Sequence, residues 1–284
     1  MAIEKVNILG AGIMGMGIAQ ALAQQGLAVT ICDLEKPILE KGLDKTRQKL
    51  ESLVSKERIT AAEAEKIVSR IRTTTSTEDI TTADLIIEAV SENMGVKKKV
   101  FAQLDGLCPS ITILASNTST LSPTEIASVT KRPDKVIGMH WFNPAPVMRL
   151  IEVVVGAETS KETIQAVMGF SRQVGKTPVR VNEAPGGIVS RILRGYLNTA
   201  VEVLTEGVAT AEDIDTAMKL GANFPMGPFE LLDLIGIDIH TINSDALAHE
   251  LGDLKYRPPA LLRKMVRAGH LGRKTGRGFY NYTK

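Results

Sequence analysis

The sequence predicts an α/β protein in which a doubly wound, largely parallel sheet is followed by an all-helical domain. Three observations carry this prediction. Short apolar runs alternate with helix-like stretches up to about residue 184, a glycine-rich turn joins the first run to the first helix, and no strand pattern appears after residue 187. Strands that alternate with helices are typical of parallel sheets covered by helices on both faces.

The glycine-rich turn is the most specific local signal. The apolar run Val6–Leu9 leads into Gly10-Ala-Gly-Ile-Met-Gly15, a helix-like stretch follows from Met16 to Gln25, and a second apolar run from Leu27 to Cys32 ends at Asp33. A G-x-G-x-x-G motif is weak by itself. Between a strand and a helix, with an acid at the tip of the next strand, it predicts a Rossmann-type dinucleotide-binding fold.

Each residue of the motif has a physical reason. Gly10 permits the tight turn, Gly12 lets the backbone approach a pyrophosphate, and Gly15 lets the helix pack against the sheet. The helix N-terminus then offers N–H groups and a positive dipole end to the phosphates. Asp33 would accept hydrogen bonds from the adenosine ribose and repel a 2′-phosphate, and the next two residues, Leu34 and Glu35, add no arginine. The sequence therefore predicts NAD as the cofactor, in preference to NADP.

Composition sets the outer bounds. The chain has 284 residues, 44% of them hydrophobic, and a net charge of +2. The small charge gives no reason to expect nucleic acid or an anionic membrane as a partner, and the apolar runs are too short for a membrane span. Two cysteines, Cys32 and Cys108, cannot form a disulfide framework, and the first strand leaves no room for a signal peptide. We expect a cytoplasmic protein with no metal site.

Further elements follow the same alternation. Apolar runs predict five more strands, at Leu85–Ile87, Ile111–Leu114, Val136–Met139, Leu150–Val155 and Pro178–Val181. Helix starts are predicted by capping boxes at Thr60–Glu63, Ser122–Glu125 and Thr159–Glu162. The charged stretch from about 36 to 70 is too long for a plain crossover, so we expect an inserted helical pair.

The second domain begins at Pro185-Gly-Gly187, which places the NAD-binding domain at residues 1–184 and a substrate and dimerisation domain at residues 185–284. Its predicted helices cover Ile188–Val208 and begin at Thr210, Pro228 and Pro259. The helix around Ile192–Leu204 is too apolar for a small isolated bundle. We therefore expect a homodimer formed through this domain.

Histidine is the usual base in nicotinamide-dependent alcohol oxidation, because its pKa lies near neutrality. Of the four histidines, His140 ends a predicted strand, where doubly wound sheets bind ligands. The other three, His240, His249 and His270, lack such a context and are interpreted as structural or surface residues.

Two further side chains are candidates for the same chemistry. Glu152 lies within an apolar strand, where a carboxylate is costly unless it is paired. It is either a strand-edge residue that faces solvent or, in the more specific interpretation, the buried acid that orients His140. Ser119 follows the Ile111–Leu114 strand and is either part of a plain polar turn or a hydrogen-bond donor to a substrate oxygen.

Taken together, the motifs resemble the 3-hydroxyacyl-CoA dehydrogenase family, in particular its single-function 3-hydroxybutyryl-CoA members. The resemblance spans nearly the whole chain and rests on the glycine loop and on Glu88–Asn93, Ser116–Ser119, His140–Met148, Leu150–Glu152, Asp213–Gly221, Met226–Asp233 and Gly276–Tyr280.

The resemblance implies roles for particular residues. It makes His140 the base, Glu152 its orienting partner and Ser119 a hydrogen-bonding group at the substrate. It places Glu92, Lys97, Asn143 and Lys274 near the NAD, and Lys49 and Lys56 near the phosphates of an acyl-CoA substrate. Lys49 and Lys56 also belong to a basic stretch suited to phosphates, although interleaved acids make an ordinary solvated helix face an equal interpretation.

One segment departs from the family pattern. The family has Pro-Gly-Phe-x-Val-Asn-Arg at the start of the helical domain, and its Asn contacts the substrate. Here Gly187 replaces the aromatic residue and Ser190 replaces the amide. Serine keeps a hydrogen-bonding group but is shorter, so it would reach a substrate through a water. Ser190 is therefore a fourth candidate catalytic residue, in a changed form.

Three functions are open on sequence alone. The leading one is an NAD-dependent (3S)-3-hydroxyacyl-CoA dehydrogenase for short chains. The second is a dehydrogenase of a free hydroxy or sugar acid, which would share the His–Glu pair. The third is a weakened paralogue that binds NAD and CoA esters with little turnover, for which Ser190 and Gly187 are the only support.

Overall fold

The computed structural model describes residues 2–282. The chain divides into two compact units, Met1–Gly187 and Ile188–Lys284. We call these the N-terminal unit and the C-terminal unit.

The N-terminal unit is built on one eight-stranded sheet. Its strands are β1 (Val6–Leu9), β2 (Val29–Cys32), β3 (Ile71–Thr74), β4 (Leu85–Glu88), β5 (Ile113–Ser116), β6 (Val136–Trp141), β7 (Leu150–Val155) and β8 (Thr177–Asn182). Their order across the sheet is β3-β2-β1-β4-β5-β6-β7-β8. Neighbours from β3 to β6 pair in parallel, β7 is antiparallel to β6, and β8 is parallel to β7. The order of the first six strands is that of the Rossmann fold, so the predicted fold class is confirmed.

Six α-helices belong to this unit within the described residues. They are α1 (Ile13–Gln24), α2 (Lys36–Ser55), α3 (Ala61–Ser69), α4 (Met94–Leu107), α5 (Pro123–Ala127) and α6 (Lys161–Gln173). The helical pair expected after the second strand is present as α2 and α3. The predicted capping box is confirmed at Thr60, whose hydroxyl accepts from the Glu63 N–H while the Glu63 carboxylate accepts from the Thr60 N–H.

The core of this unit explains the apolar runs. The residues of β1, β4 and β5 are all buried, as expected for central parallel strands that are covered on both faces. Helix α1 buries nine consecutive residues, Gly15–Ala23. The glycines and alanines in that stretch allow the helix to approach the sheet closely.

Three local predictions were wrong. Strand β3 was missed because Ile71-Arg-Thr-Thr74 contains one apolar residue. This segment is a strand because it pairs with β2. The fifth strand begins at Ile113, while Ile111 is 58% exposed. The helix α6 cap is Ser160, whose hydroxyl accepts from the Thr163 N–H, because the Thr159 hydroxyl donates to Val136 O.

The C-terminal unit contains five α-helices in its described part. They are α7 (Val189–Thr205), α8 (Ala211–Gly221), α9 (Pro228–Ile235), α10 (Ile237–Leu251) and α11 (Ala260–Arg267). The helix starts expected near Ile188 and at Thr210, Pro228 and Pro259 are confirmed. Helix α10 was missed because a single residue, Gly236 at φ +101°, separates it from α9 without a proline or a capping box.

Two buried carboxylates hold the C-terminal unit together. Asp215 accepts from the N–H groups at the start of α9 and from the Tyr280 hydroxyl. Asp233 accepts from the N–H groups of Phe279 and Tyr280. The motifs at residues 213–233 and 276–280 therefore join the C-terminal segment of the described chain to α8 and α9.

Across residues 2–282, the structure has no helix that is both long enough and apolar enough to cross a membrane.

Candidate active site

The loops after three parallel strands, β1, β4 and β5, lie at the carboxyl edge of the N-terminal sheet. Gly10, after β1, lies against the loop after β4, since a Cβ on Gly10 would come within 2.7 Å of the Ala89 carbonyl carbon. The loop after β5 is joined to β6 because the Trp141 N–H donates to the Asn117 side-chain oxygen at 2.9 Å. Ligands of doubly wound sheets bind at this edge.

The glycine turn has room for a pyrophosphate. Helix α1 begins at Ile13, directly after Gly12, and no side chain caps it. A Cβ built on Gly12 would meet nothing within 4 Å, whereas one on Gly15 would overlap the Gly10 carbonyl oxygen. The uncapped N-terminus and the open space above Gly12 fit a diphosphate that accepts backbone hydrogen bonds.

Asp33 stands at the tip of β2 and faces this turn. Its Oδ2 accepts from the Ala11 N–H at 2.7 Å and its Oδ1 from the Glu35 N–H at 3.3 Å. These bonds direct the carboxylate toward the glycine loop. A half-buried anion there suits the two hydroxyls of an adenosine ribose and disfavours a phosphate on that ribose.

His140 and Glu152 form a buried pair, as expected from the sequence. They lie directly opposite each other on the antiparallel strands β6 and β7, so their side chains share one face of the sheet. His140 Nδ1 is 3.0 Å from Glu152 Oε2, and the two residues are 9% and 1% exposed. The carboxylate holds the proton on Nδ1, which leaves Nε2 as the nitrogen that can accept a proton.

Gly187 lies against this pair. Its φ is +52°, and a Cβ at that position would stand 2.7 Å from Glu152 Oε2, the oxygen that faces His140. A side chain at residue 187 would therefore collide with the Glu152 carboxylate that faces His140.

The loop between His140 and Glu152 is fastened by Lys176. Its Nζ donates to the carbonyl oxygens of Ala145 and Met148 at 2.6 and 2.7 Å. Burial lowers the pKa of Lys176. The lysine ties down the segment that carries Asn143, which is itself exposed. Sequence reasoning missed Lys176, because it is distant in sequence and belongs to no motif.

Ser119 is held by Glu92. Glu92 Oε1 accepts from the Thr118 hydroxyl at 2.6 Å and the Ser119 N–H at 2.9 Å, while the Ser119 hydroxyl lies at 3.4 Å. Burial would raise the pKa of Glu92, but the Lys97 charge and the Thr118 and Ser119 hydrogen bonds outweigh it, so that the pKa is lowered. Glu92 is thus an anion that orders the Ser119 loop and leaves the serine hydroxyl only weakly engaged.

Lys97 is completely buried between two acids. Its Nζ lies 2.7 Å from Glu88 Oε1 and 3.4 Å from Glu92 Oε2. Glu88, also buried, accepts from the Ser116 hydroxyl at 2.6 Å and the Val90 N–H at 2.7 Å. Lys97 has no exposed surface, so any influence on a cofactor passes through Glu92. In the sequence Glu88 belongs to a motif, and a carboxylate at the end of the apolar run Leu85–Ile87 is the signal that could have identified it as a buried acid.

Lys49, on α2, and Lys56, at its C-terminal cap, are both exposed. Seven residues separate them, which places them on one face about 10 Å apart. In the C-terminal unit, Lys274 Nζ binds both carboxylate oxygens of Asp238 at 2.6 Å, and Ser190 is half-buried in the first turn of α7.

The Rossmann sheet, the open glycine turn and the buried His–Glu pair define a nicotinamide-dependent dehydrogenase. The chain belongs to the 3-hydroxyacyl-CoA dehydrogenase family. Residues 5–184 match the family's NAD-binding domain and residues 186–282 match its C-terminal domain.

Relatives agree with this assignment along the whole chain. The 3-hydroxybutyryl-CoA dehydrogenase of Clostridioides difficile is 50% identical over 280 residues, covering 99% of this chain and 100% of the relative. A probable 3-hydroxybutyryl-CoA dehydrogenase of Bacillus subtilis (strain 168) is 47% identical over 282 residues, with 99% and 98% covered. The crystal structure of (S)-3-hydroxybutyryl-CoA dehydrogenase from Ralstonia eutropha is 47% identical, with a TM-score of 0.93 and full coverage of both chains.

Proposed function

We propose that this protein is an NAD-dependent dehydrogenase that interconverts short-chain (3S)-3-hydroxyacyl-CoA and 3-oxoacyl-CoA. The observation that carries the proposal is the His140–Glu152 pair, buried at the ligand-binding edge of a Rossmann sheet. The family match and the names of the close relatives supply the substrate class.

His140 is the proton acceptor in the oxidative direction. Its Nδ1 is occupied by Glu152, so Nε2 takes the proton of the 3-hydroxyl group while the C3–H bond breaks. Bound NAD supplies the acceptor for the hydride that leaves C3. Glu152 stabilises the imidazolium that forms and keeps the ring in the tautomer that the next cycle needs.

Ser119 holds a substrate oxygen. Its hydroxyl makes one long hydrogen bond to Glu92, at 3.4 Å, and can turn to a stronger acceptor. Ser190 supplies a second hydroxyl from the C-terminal unit, in place of the family's amide. Because serine is shorter than asparagine, we expect this contact to pass through a water and to support a lower rate.

The cofactor is bound by the glycine turn and its neighbours. Gly10, Gly12 and Gly15 shape the diphosphate site and Asp33 binds the adenosine ribose. The exposed amide of Asn143, the carboxylate of Glu92 and the ammonium of Lys274 are assigned to contacts with the NAD, and Lys97 acts by holding Glu92. Lys49 and Lys56 attract the phosphates of the acyl-CoA.

The protein works as a cytoplasmic homodimer formed through the C-terminal unit. Ile188, the N-cap of α7, and Ile192, within α7, are 40 and 68% exposed, and Ile239 and Ile242 of α10 are 45 and 66% exposed. Such apolar residues on two helices are suited to burial against a second copy. We assign no nucleic acid and no membrane as partners. A monomeric mass in light scattering would refute the dimer.

The test of the proposed activity is oxidation of NADH with acetoacetyl-CoA. We expect turnover with NADH well above that with NADPH, and a 10²–10⁴-fold fall in kcat for His140→Gln, the range contributed by positioned acid–base groups. Tight binding of both ligands without turnover would identify a weakened paralogue. Faster turnover of a CoA-free hydroxy acid would identify the second alternative.

A further inference from the structure

The C-terminal unit contains a buried cation that no acid neutralises. Arg194, on α7, is 6% exposed, yet it forms no ion pair within residues 2–282. Its guanidinium makes one hydrogen bond, from Nη1 to His240 Nδ1 at 3.3 Å. Burial lowers the pKa of Arg194 only to about 10, so the side chain is charged at neutral pH. A buried charge is costly unless an opposite charge accompanies it.

His240 does not supply that charge. The Asn198 amide nitrogen donates to the Tyr256 carbonyl, which turns Asn198 Oδ1 toward His240 Nε2 at 2.9 Å. Nε2 therefore carries the hydrogen and Nδ1 is an acceptor. Burial and the neighbouring Arg194 charge lower the pKa of His240 to about 3, so the ring is neutral. It acts as a neutral support for the guanidinium.

The nearby acids of the unit are committed to other cations. Three acids of α10 and of the loop that follows it pair as Asp238 with Lys274, Asp245 with Arg263 and Asp253 with Lys255, and the remaining acid of α10, Glu250, is exposed to solvent. No acid of α7 lies on its buried stripe, which consists of Arg194, Leu197, Asn198, Ala200 and Val201. Because no acid in the described part of the C-terminal unit forms an ion pair with Arg194, the guanidinium charge is available to an anion from outside the unit.

The position of Arg194 on its helix points to the source. Arg194 follows Ser190 by four residues, so both lie on one face of α7, about 6 Å apart along the axis. Ser190 occupies the position that we assign to substrate contact. A carboxylate three or four carbons beyond the 3-oxo carbon lies up to about 6 Å from it, at about 1.5 Å per bond.

We propose that Arg194 is a specificity-determining residue that binds a carboxylate at the far end of the acyl chain. The inference rests on the proposed function and extends its substrates to 3-oxoacyl-CoA and 3-hydroxyacyl-CoA thioesters of dicarboxylic acids. The guanidinium offers two parallel N–H donors to such a carboxylate. His240, neutral and fixed by Asn198, keeps the guanidinium in place without competing for the anion.

The test compares two thioesters of equal length. 3-Oxoadipyl-CoA ends in a carboxylate and 3-oxohexanoyl-CoA ends in a methyl group. We expect kcat/KM to favour 3-oxoadipyl-CoA by at least about tenfold, as charge-assisted hydrogen bonds to a carboxylate imply. Arg194→Met should remove this preference and Arg194→Lys should keep part of it. Arg267→Met, at an exposed arginine of α11, is the matched control and should leave the ratio unchanged.

The ratio of the two thioesters within one variant is independent of how much enzyme is folded. An unchanged ratio in both Arg194 variants, or no preference in the unmodified protein, would overturn the inference while leaving acetoacetyl-CoA turnover intact. Dissociation of a dimer by Arg194→Met with an unchanged ratio would place the counter-charge on a second copy and also overturn it. If acetoacetyl-CoA is not reduced at all, the proposed function fails, and calorimetric affinities of the same two thioesters still decide the inference.

Discussion

Gly187 lies beside the His140–Glu152 pair and allows a direct test of that pair. We consider Gly187→Ala, which adds one carbon atom. That carbon would lie 2.7 Å from Glu152 Oε2, and the same oxygen lies 3.0 Å from His140 Nδ1. The substitution therefore acts on the catalytic pair without removing any of its groups.

Two effects set the size of the response. A φ of +52° in a non-glycine residue costs about 1–2 kcal/mol. The carboxylate must also withdraw by roughly 0.7 Å to restore an ordinary contact of 3.4 Å. A shift of that size directly away from His140 would lengthen the Glu152–His140 hydrogen bond to about 3.7 Å, beyond the range of a hydrogen bond. Because misplacement by about 1 Å can cost a hundredfold in rate, we expect kcat to fall by about tenfold to a hundredfold.

The measurement is kcat with acetoacetyl-CoA and NADH, together with the free energy of unfolding. Gly26→Ala is the matched control, because Gly26 lies in the same unit at φ +92° and a Cβ there meets nothing within 4 Å. Both variants should lose similar stability, and only Gly187→Ala should lose rate. Equal kcat in the two variants would refute the proposed contact between residue 187 and the catalytic acid.

Three further predictions address the supporting structure. Lys97→Met leaves the buried Glu88 carboxylate without its counter-charge and should cost about 3–5 kcal/mol in a denaturant titration, whereas Lys98→Met, at a partly exposed pair, should cost less than about 1 kcal/mol. The lowered pKa of His240, about 3, means that the unfolded chain binds a proton below pH 6.5 that the folded chain refuses. The free energy of unfolding should thus fall by about 1.4 kcal/mol per pH unit from pH 6.5 toward pH 3. His240→Asn should make this fall smaller, and equal slopes in the two proteins would contradict the prediction. Asp33→Ser should narrow the preference for NADH over NADPH in kcat/KM, and an unchanged ratio would remove Asp33 from cofactor choice.

The elements that were predicted correctly from the sequence are those that a local pattern of residues specifies. The run Val6–Leu9 is apolar because both faces of its strand are covered, and the glycine turn after it has a spacing that only a close backbone approach explains. His140 and Glu152 could be paired in advance because one ends an apolar strand and the other interrupts the next.

Other elements have no recognisable pattern in the local sequence. Strand β3 holds one apolar residue, Ile71, and exists because β2 offers it a hydrogen-bonding edge. Helix α10 begins immediately after α9, with only Gly236 between them. Residue propensity and hydrophobic periodicity give no information about a partner strand or about the packing that separates two adjacent helices.

The sequence by itself determined the fold class and predicted the cofactor site and the His140–Glu152 pair, since each rests on a pattern or a spacing along the chain. Only the tertiary structure decided how charges are distributed around them. It placed Lys97 wholly inside, between Glu88 and Glu92, so that it cannot meet a cofactor directly. It also buried Arg194 beside a neutral histidine with no acid at hand. Burial and pairing depend on residues that are distant in sequence, and they determine whether a charged side chain is structural or available to a ligand.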